Sequence, residues 1–247
     1  MDNAVQTHYD ALLGGCYTWI SGGLDDQVRK NKEFFSIHDL TPRDNRIAID
    51  LGAGCGFQSV PLAYLGYSVT AVDFCQPLLE ELHTHTGALP VETILGDIRN
   101  YSLWAGRNPV LITCMGDTLT HLHNLTETED LFRQCFSELV PGGRLVLTLR
   151  DYSQEPDGSV FVIPVLRDKD RIFLCGLKYH TDTLTVQDIL YSCGRGKWER
   201  TAGVYEKIRL APPTLIRMLA GSGFRIDYSA VNNGMITIIA RKAPDYR

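Results

Sequence analysis

Glycine stands at positions 52, 54 and 56, directly after a short apolar run, IAIDL at 47–51, and directly before an apolar-periodic stretch at 58–65. A loop without side chains between a strand and a helix lets the backbone turn tightly and lets a ligand approach it closely. The dinucleotide fingerprint would need a further glycine at 57, and Phe57 stands there instead. Asp50 lies inside the strand before the loop. Asp73 ends the next apolar run, where a carboxylate can accept two ribose hydroxyls. Asp97 ends the third run, beside the place an adenine amino group would take. Arg150 ends the fifth, at the edge where ligands of such sheets bind, and its guanidinium can pair bidentately with a carboxylate or phosphate. Asp117 and His121 follow the fourth run, and each could orient a nucleophile or take up its proton. The plainer readings are a salt bridge from Arg150 to Asp117 or Asp151 and a cap at Asp117. Trp19, Tyr152, Tyr179 and Tyr191 are candidates for an aromatic cage around a cation. The pairs His83/His85 and His121/His123 point their rings to different sides of a helix and have no third ligand at useful spacing, so no metal site is expected.

These residues need a scaffold, and the hydrophobic pattern supplies one. It predicts strands over 47–51, 67–72, 91–95, 110–115 and 144–149, alternating with helices over 58–65, 77–84 and 127–139. Such alternation implies right-handed crossovers and a mostly parallel sheet with helices on both faces. Helical runs over 5–13 and 24–40 precede it, with an aromatic, glycine-bounded segment at 16–20 that would suit a flap. Over 151–210 the rhythm changes to Val, Ile, Thr, Tyr and Phe separated by turn signals. The runs at 160–167, 171–180, 183–192 and 197–209 predict an antiparallel insertion of three or four strands. A helix over 213–220 and a hairpin around Asn232, Asn233 and Gly234 close the chain. We read one domain over 1–247: a helical cover at 1–45, an α/β core at 46–150 and 211–241, and the insertion at 151–210.

Composition narrows the function class. The chain has 247 residues and a formal net charge of −5, which argues against a nucleic-acid scaffold with its basic face. No apolar run approaches the ~20 residues that span a bilayer. The first ten residues, MDNAVQTHYD, lack the pattern of a secretory signal. Cysteines at 16, 55, 75, 114, 135, 175 and 193 are odd in number and contain no C-x-x-C pair, and read as small core residues in a reducing compartment, the cytoplasm.

Strand, G-x-G-x-G, helix, strand, Asp resembles the nucleoside-methionine site of class I S-adenosylmethionine-dependent methyltransferases. The resemblance covers 46–150 and resumes at 213–241, and includes Gly96-Asp97 and the Pro141-Gly142-Gly143 turn. It implies a Rossmann-like seven-stranded sheet and S-adenosyl-L-methionine as cofactor. Gly52, Ala53, Gly54 and Gly56 would line the methionine part, Asp73 would hold the ribose, and Phe74 would pack by the adenine. Asp97 and Ile98 would meet the base edge, with Met115 and Gly116 beside the sulfonium. A narrower resemblance joins CMGDTLTHL at 114–122 and LRDY at 149–152 to the glycine N-methyltransferase group, whose segments read C-x-G-N-S-x-x-H-L and R-N-Y. It implies Arg150 on a substrate carboxylate, Asp117 facing the substrate, Arg29 on the cofactor's carboxylate, and Tyr9 and Trp19 closing the site. Asp117 and Asp151 replace the group's two asparagines, which puts glycine as substrate in question. The expectation is methyl transfer to a small-molecule acceptor, an amine nitrogen first and an oxygen second. A non-catalytic cofactor-binding protein is the alternative of another class. No nucleic-acid or membrane partner is expected, and the oligomeric state stays open, a homodimer among the options.

Overall fold

The computed structural model describes residues 3–155 and 161–244. Its core follows the alternation: β1 (Ile47–Leu51), α4 (Ser59–Tyr64), β2 (Ser68–Asp73), α5 (Gln76–Thr86), β3 (Val91–Leu95), β4 (Leu111–Cys114), α6 (Leu125–Glu138) and β5 (Arg144–Arg150). After the insertion come α7 (Pro212–Gly221) and the hairpin β10 (Phe224–Asn232) and β11 (Met235–Lys242). The sheet order is β10-β11-β5-β4-β1-β2-β3. β1 to β5 run parallel, and β11 lies antiparallel to both β5 and β10. This is the Rossmann-like seven-stranded sheet that the resemblance implies, with its reversed strand next to the edge.

Two apolar layers sandwich the sheet. Ile49, Ile112 and Leu147 face Phe132 of α6 and Leu219 of α7, while Ala48, Leu111 and Val146 face Leu62 of α4 and Phe35. Phe35 belongs to α3 (Leu24–Ile37), which stops short of the expected residue 40 because Asp39 takes a left-handed φ of 52°. From β1 the chain winds to β2 and β3 on one side, and from β4 to β5 on the other. The loops after β1 and β4 therefore diverge and open a crevice at the carboxyl edge.

The N-terminal segment folds as α1 (Asn3–Ala11), a 3-10 turn at Leu13–Gly15 and a short helix α2 (Tyr17–Ile20) where the aromatic flap was expected. The insertion is a separate antiparallel sheet, β6 (Phe161–Arg167), β7 (Arg171–Tyr179), β8 (Thr183–Gly194) and β9 (Lys197–Ile208), in sequential order. Residue 160, the expected start of its first strand, lies outside the described residues. Leu177, Leu184, Val186 and Tyr205 of its inner face pack on Val5 of α1 and on Tyr152. The insertion thus holds α1 against the core. All seven cysteines are free thiols, five of them buried. Among the described residues no helix is long and apolar enough to cross a membrane.

Candidate active site at the carboxyl edge of the sheet

The glycine loop is shaped by contacts that exclude a side chain. Gly52, Gly54 and Gly56 all have positive φ, at 78°, 52° and 96°. A Cβ on Gly52 would lie 2.3 Å from the Thr118 side chain and 2.8 Å from Thr118 Cβ. Gly52→Ala is therefore expected to lower stability by ~2 kcal/mol from the left-handed backbone alone, with more from the collision. A fall in Tm of about 4–8 °C in a thermal melt checks it. Asp50, buried before the loop, accepts hydrogen bonds from Ser59 Oγ at 2.6 Å and Thr113 Oγ1 at 2.8 Å. It ties the start of α4 to β4, and burial pushes its carboxyl up to about 6.

Asp73 faces the loop from the end of β2. Its Oδ2 accepts the Gly54 N–H and its Oδ1 the Cys75 N–H, each at 2.8 Å. Burial outweighs these bonds and raises the carboxyl to about 6. Each oxygen keeps a lone pair for a hydroxyl. Asp97 lies at the end of β3 and is engaged more fully. Arg99 Nη2 donates to Oδ2 at 2.6 Å and Arg99 Nε to Oδ1 at 3.1 Å, so that, against burial, the carboxyl stays below its usual range. Arg99 also reaches Glu127 at 3.1 Å.

These groups border a crevice that opens to solvent. Gly52, Ala53, Gly54, Asp73, Phe74, Asp97, Ile98, Met115 and Gly116 line it, as do Tyr9 of α1 and His121. Gly56 lies outside the lining: its Cβ would meet Leu82 at 2.2 Å, so the residue serves the packing of the loop on α5. Phe57, in the place of a fingerprint glycine, stacks on Tyr17 at 5.9 Å between centroids, and both line the cavity. Tyr9 meets Phe74 edge-on at 5.5 Å. Together these rings roof the crevice.

At the end of β4 the backbone is held in an unusual shape. Gly116 has φ 73° and Asp117 has φ 77°. The Asp117 carboxylate secures the turn: Oδ1 accepts the Arg150 N–H at 2.6 Å, and Oδ2 accepts Tyr152 OH at 3.1 Å and Lys207 Nζ at 2.8 Å. Both members of the Asp117–Lys207 pair are buried. Burial alone would raise the carboxyl, but Lys207 and the Arg150 N–H outweigh it and hold it at about 2. His121 is neutral, pushed down to about 3 by burial and then by Lys207, and its Nε2 meets Tyr9 OH at 3.1 Å.

Several expected residues do not reach the cavity. Arg29 is exposed and pairs with Asp26 at 2.6 Å, one turn back on its own helix. Trp19 stacks under Arg171 at 4.1 Å, on the insertion side of α2. The Arg150 side chain is 64% exposed, with Nε 3.8 Å from Asp117, so the salt-bridge reading fits it. Asp117 is outside the lining because its oxygens point at Arg150, Tyr152 and Lys207. Tyr152 is spent on Asp117, and Tyr179 lies under Arg209 at 5.2 Å. Tyr191 pairs in register with Ile172 and Arg200 on the outer face of the insertion sheet. Among the described residues no cluster could hold a metal ion. Sequence reasoning passed over Tyr17, Arg99 and Lys207. Lys207 had one signal, a charge at an inward position of a strand whose inward neighbour is Tyr205.

The comparisons meet this geometry. Residues 48–143 match the methyltransferase domain family. The chain carries a methyltransferase domain over these residues. A ubiquinone biosynthesis O-methyltransferase of Caulobacter sp. is 25% identical over 180 residues, 66% of this chain and 69% of that protein. A glycine/sarcosine N-methyltransferase of Halorhodospira halochloris is 28% identical over 135 residues, 52% of this chain and 48% of that protein, so the match spans about half of that relative. The solved CcbJ methyltransferase from Streptomyces caelestis has a TM-score of 0.81 at 21% identity, over 96% of this chain and 99% of that one. CalS10, an amino pentose methyltransferase from Micromonospora echinaspora solved with S-adenosylmethionine bound, has a TM-score of 0.71 at 16% identity, over 89% and 91% of the two chains. These two share its fold.

The residues fit the cofactor. The loop is kept bare where a Cβ would collide, Asp73 retains lone pairs, and both face the same crevice at the carboxyl edge.

Proposed function

We propose that this methyltransferase acts on the nitrogen of a small amine that carries no carboxylate beside it. Gly52, Ala53 and Gly54 line the methionine portion of the cofactor, and Asp73 accepts the ribose hydroxyls. Phe74, Asp97 and Ile98 surround the base, and Met115 and Gly116 border the methyl. The bound cofactor supplies an electrophilic methyl on a cationic sulfur. The protein's part is to align the acceptor lone pair with it and keep water out, which can contribute ~7–11 kcal/mol.

The observation that carries the amine reading is the state of the groups at the methyl end. Asp117, the one carboxylate of that turn, is saturated by Arg150, Tyr152 and Lys207. His121 is a weak base under Lys207. A hydroxyl acceptor needs a base, whereas an amine desolvated among Tyr9, Tyr17 and Phe74 sheds its own proton to solvent more readily. It then attacks with a free lone pair. The product ammonium loses a proton on release. The carboxylate clause follows from the cations: Lys207 is paired with Asp117, Arg150 faces solvent, and Arg99 is bonded to Asp97 and Glu127. An oxygen acceptor is the second reading, favoured by His121 in the cavity wall. The free thiols suit a reducing compartment, and we place the enzyme in the cytoplasm.

A methyl-transfer screen with labelled cofactor tests this. Turnover is expected on uncharged-bodied amines, with an acid limb that tracks each acceptor's own ammonium pKa. Turnover confined to phenols or alcohols would overturn the amine reading. Preference for glycine over its amide would overturn the carboxylate clause. Tight cofactor binding with no turnover on any acceptor would favour a binding protein.

A further inference from the structure

An antiparallel sheet with one face on a core normally turns polar residues to water on the other. The insertion sheet departs from this. Cys175, Asp188 and Gly203 form an inner cross-strand row, over which His8 of α1 bonds Asp188 at 2.9 Å. One residue along, the outward row reads Pro164, Leu174, Ile189 and Ala202, apolar across all four strands. The next outward row, Val162, Gly176, Gln187 and Val204, has a valine at each end, 61% and 52% exposed, with Gln187 between them. Trp198, 48% exposed, continues the same face toward the β8–β9 turn. Arg200 separates Trp198 from Ala202, so the apolar patch is the Leu174–Ile189–Ala202 row with the valines beside it, exposed surface of the kind that marks an interaction site.

Charge placement on the same face says what covers it. Lys178 of β7 and Glu206 of β9 flank Thr185 of β8 in one outward row. Both are exposed, and among the described residues neither has an ion-pair partner. With β8 between them their backbones stand about 10 Å apart, and the two side chains do not pair with each other in the structure. A two-fold axis along β8 turns this row onto itself, so that each copy's Lys178 falls opposite the other copy's Glu206. The same axis sets Leu174 against Ala202 and Ile189 against its own counterpart, while Arg200 falls over Ile172 and not over a second Arg200.

We propose that this face is a homodimer interface in which two insertion sheets pack face to face about a two-fold axis along β8. Aligned sheets pack within about 30° of each other, and a self-complementary patch is what a two-fold contact requires. An axis along β8 overlaps β7, β8 and β9 of the two copies and leaves β6 outside the contact. Three strands of about eight residues give roughly 400 Å² of flat face per copy before side-chain relief, about half of the ~800 Å² of accessible surface a standard interface uses per partner. The contact has a bearing on the site. The reverse face of these strands carries Asp188, which holds α1, and Lys207, which holds Asp117.

Sedimentation velocity on the full chain tests the proposal. The wild type is expected at twice its 27.6 kDa mass. Lys178→Glu and Glu206→Lys each set like charges opposite at two symmetric places, and should each weaken association by about tenfold or more. The double reversal, Lys178→Glu with Glu206→Lys, should restore it. Ile189→Asp at the axis should give a folded monomer, and Val204→Asp, at an exposed position, serves if that variant does not fold. A monomeric wild type, or a dimer that the folded aspartate variants leave intact, would overturn the interface. A dimer lost to the aspartates but indifferent to the charge reversals would overturn the axis.

Discussion

Asp73→Ala is expected to remove measurable S-adenosylmethionine binding, and Asp73→Asn to weaken it at least about 100-fold. Each oxygen of Asp73 is fixed by one backbone N–H, from Gly54 or Cys75, so the remaining lone pairs have set directions. Two hydroxyl bonds to a charged acceptor contribute ~1.5–3 kcal/mol each, and the alanine variant loses both. The asparagine variant keeps the shape but turns an amide N–H₂ toward one of the two backbone donors. That adds a buried mismatch of ~1–3 kcal/mol to the lost charge. Titration calorimetry on folded variants checks the prediction, and unaltered affinity would remove Asp73 from the site.

The same carboxyl gives a pH signature with two opposite signs. Burial raises Asp73 to about 6, and Asp50 likewise, above their ordinary carboxylate value of 3.8. A folded value above the unfolded one means that the stabilising form is the protonated one. The contribution is full below about 4 and is lost as pH rises through about 6. On the proposed ribose contact, cofactor binding needs the ionised form of Asp73 and runs the other way, weakening as pH falls below about 6. The free protein should therefore gain thermal stability between pH 7 and pH 5, at a ligand-free melt, while cofactor affinity falls over the same interval. Affinity that is flat with pH would show that the ribose is held by some other group.

The part of the site that was legible in the sequence is the part built from neighbours in sequence. Gly52, Gly54 and the strand before them fix one another locally, and Asp73 follows because a parallel neighbour ends at the same edge. Alternation of strands and helices was enough for the sheet. What failed to carry over was direction. Trp19 and Arg29 have the right types in the right segment, but Arg171 and Asp26 take their side chains. Tyr179 and Tyr191 lie on strands whose facing could be read only relative to each other. The register that places Asp188 inward places Tyr191 outward. The Asp117–Lys207 pair was illegible for a different reason: 90 residues separate its members, and nothing local says which buried carboxylate a buried lysine will meet.

That pair carries the other large effect. In the group that the 114–122 segment resembles, an asparagine stands at the place of Asp117. Asparagine tolerates a left-handed backbone and is neutral, so it needs no counter-charge. Aspartate at φ 77° in a buried turn does need one, and β9 delivers Lys207 to Oδ2 at 2.8 Å. Lys207→Met leaves the charge buried and unpaired, which costs ~3–5 kcal/mol. For a chain of this size that lowers Tm by roughly 6–20 °C. Turnover should fall more than cofactor affinity does if the turn bearing Met115 and Gly116 borders the methyl and not the ribose, as proposed. Asp117→Asn together with Lys207→Met removes both charges, and should recover most of the stability and part of the turnover. The pH dependence separates a charge effect from lost packing. With Lys207 in place the Asp117 carboxyl is held at about 2, so its contribution is present above the ordinary value of 3.8 and is lost as pH falls toward 2. Without Lys207 the Arg150 N–H and guanidinium still oppose burial, but the carboxyl rises, so Lys207→Met should lose less stability than the wild type on acidification. A double variant no more stable than the single, or a single variant that loses as much stability on acidification as the wild type, would mean that the lysine supports the turn through its packing and not through its charge.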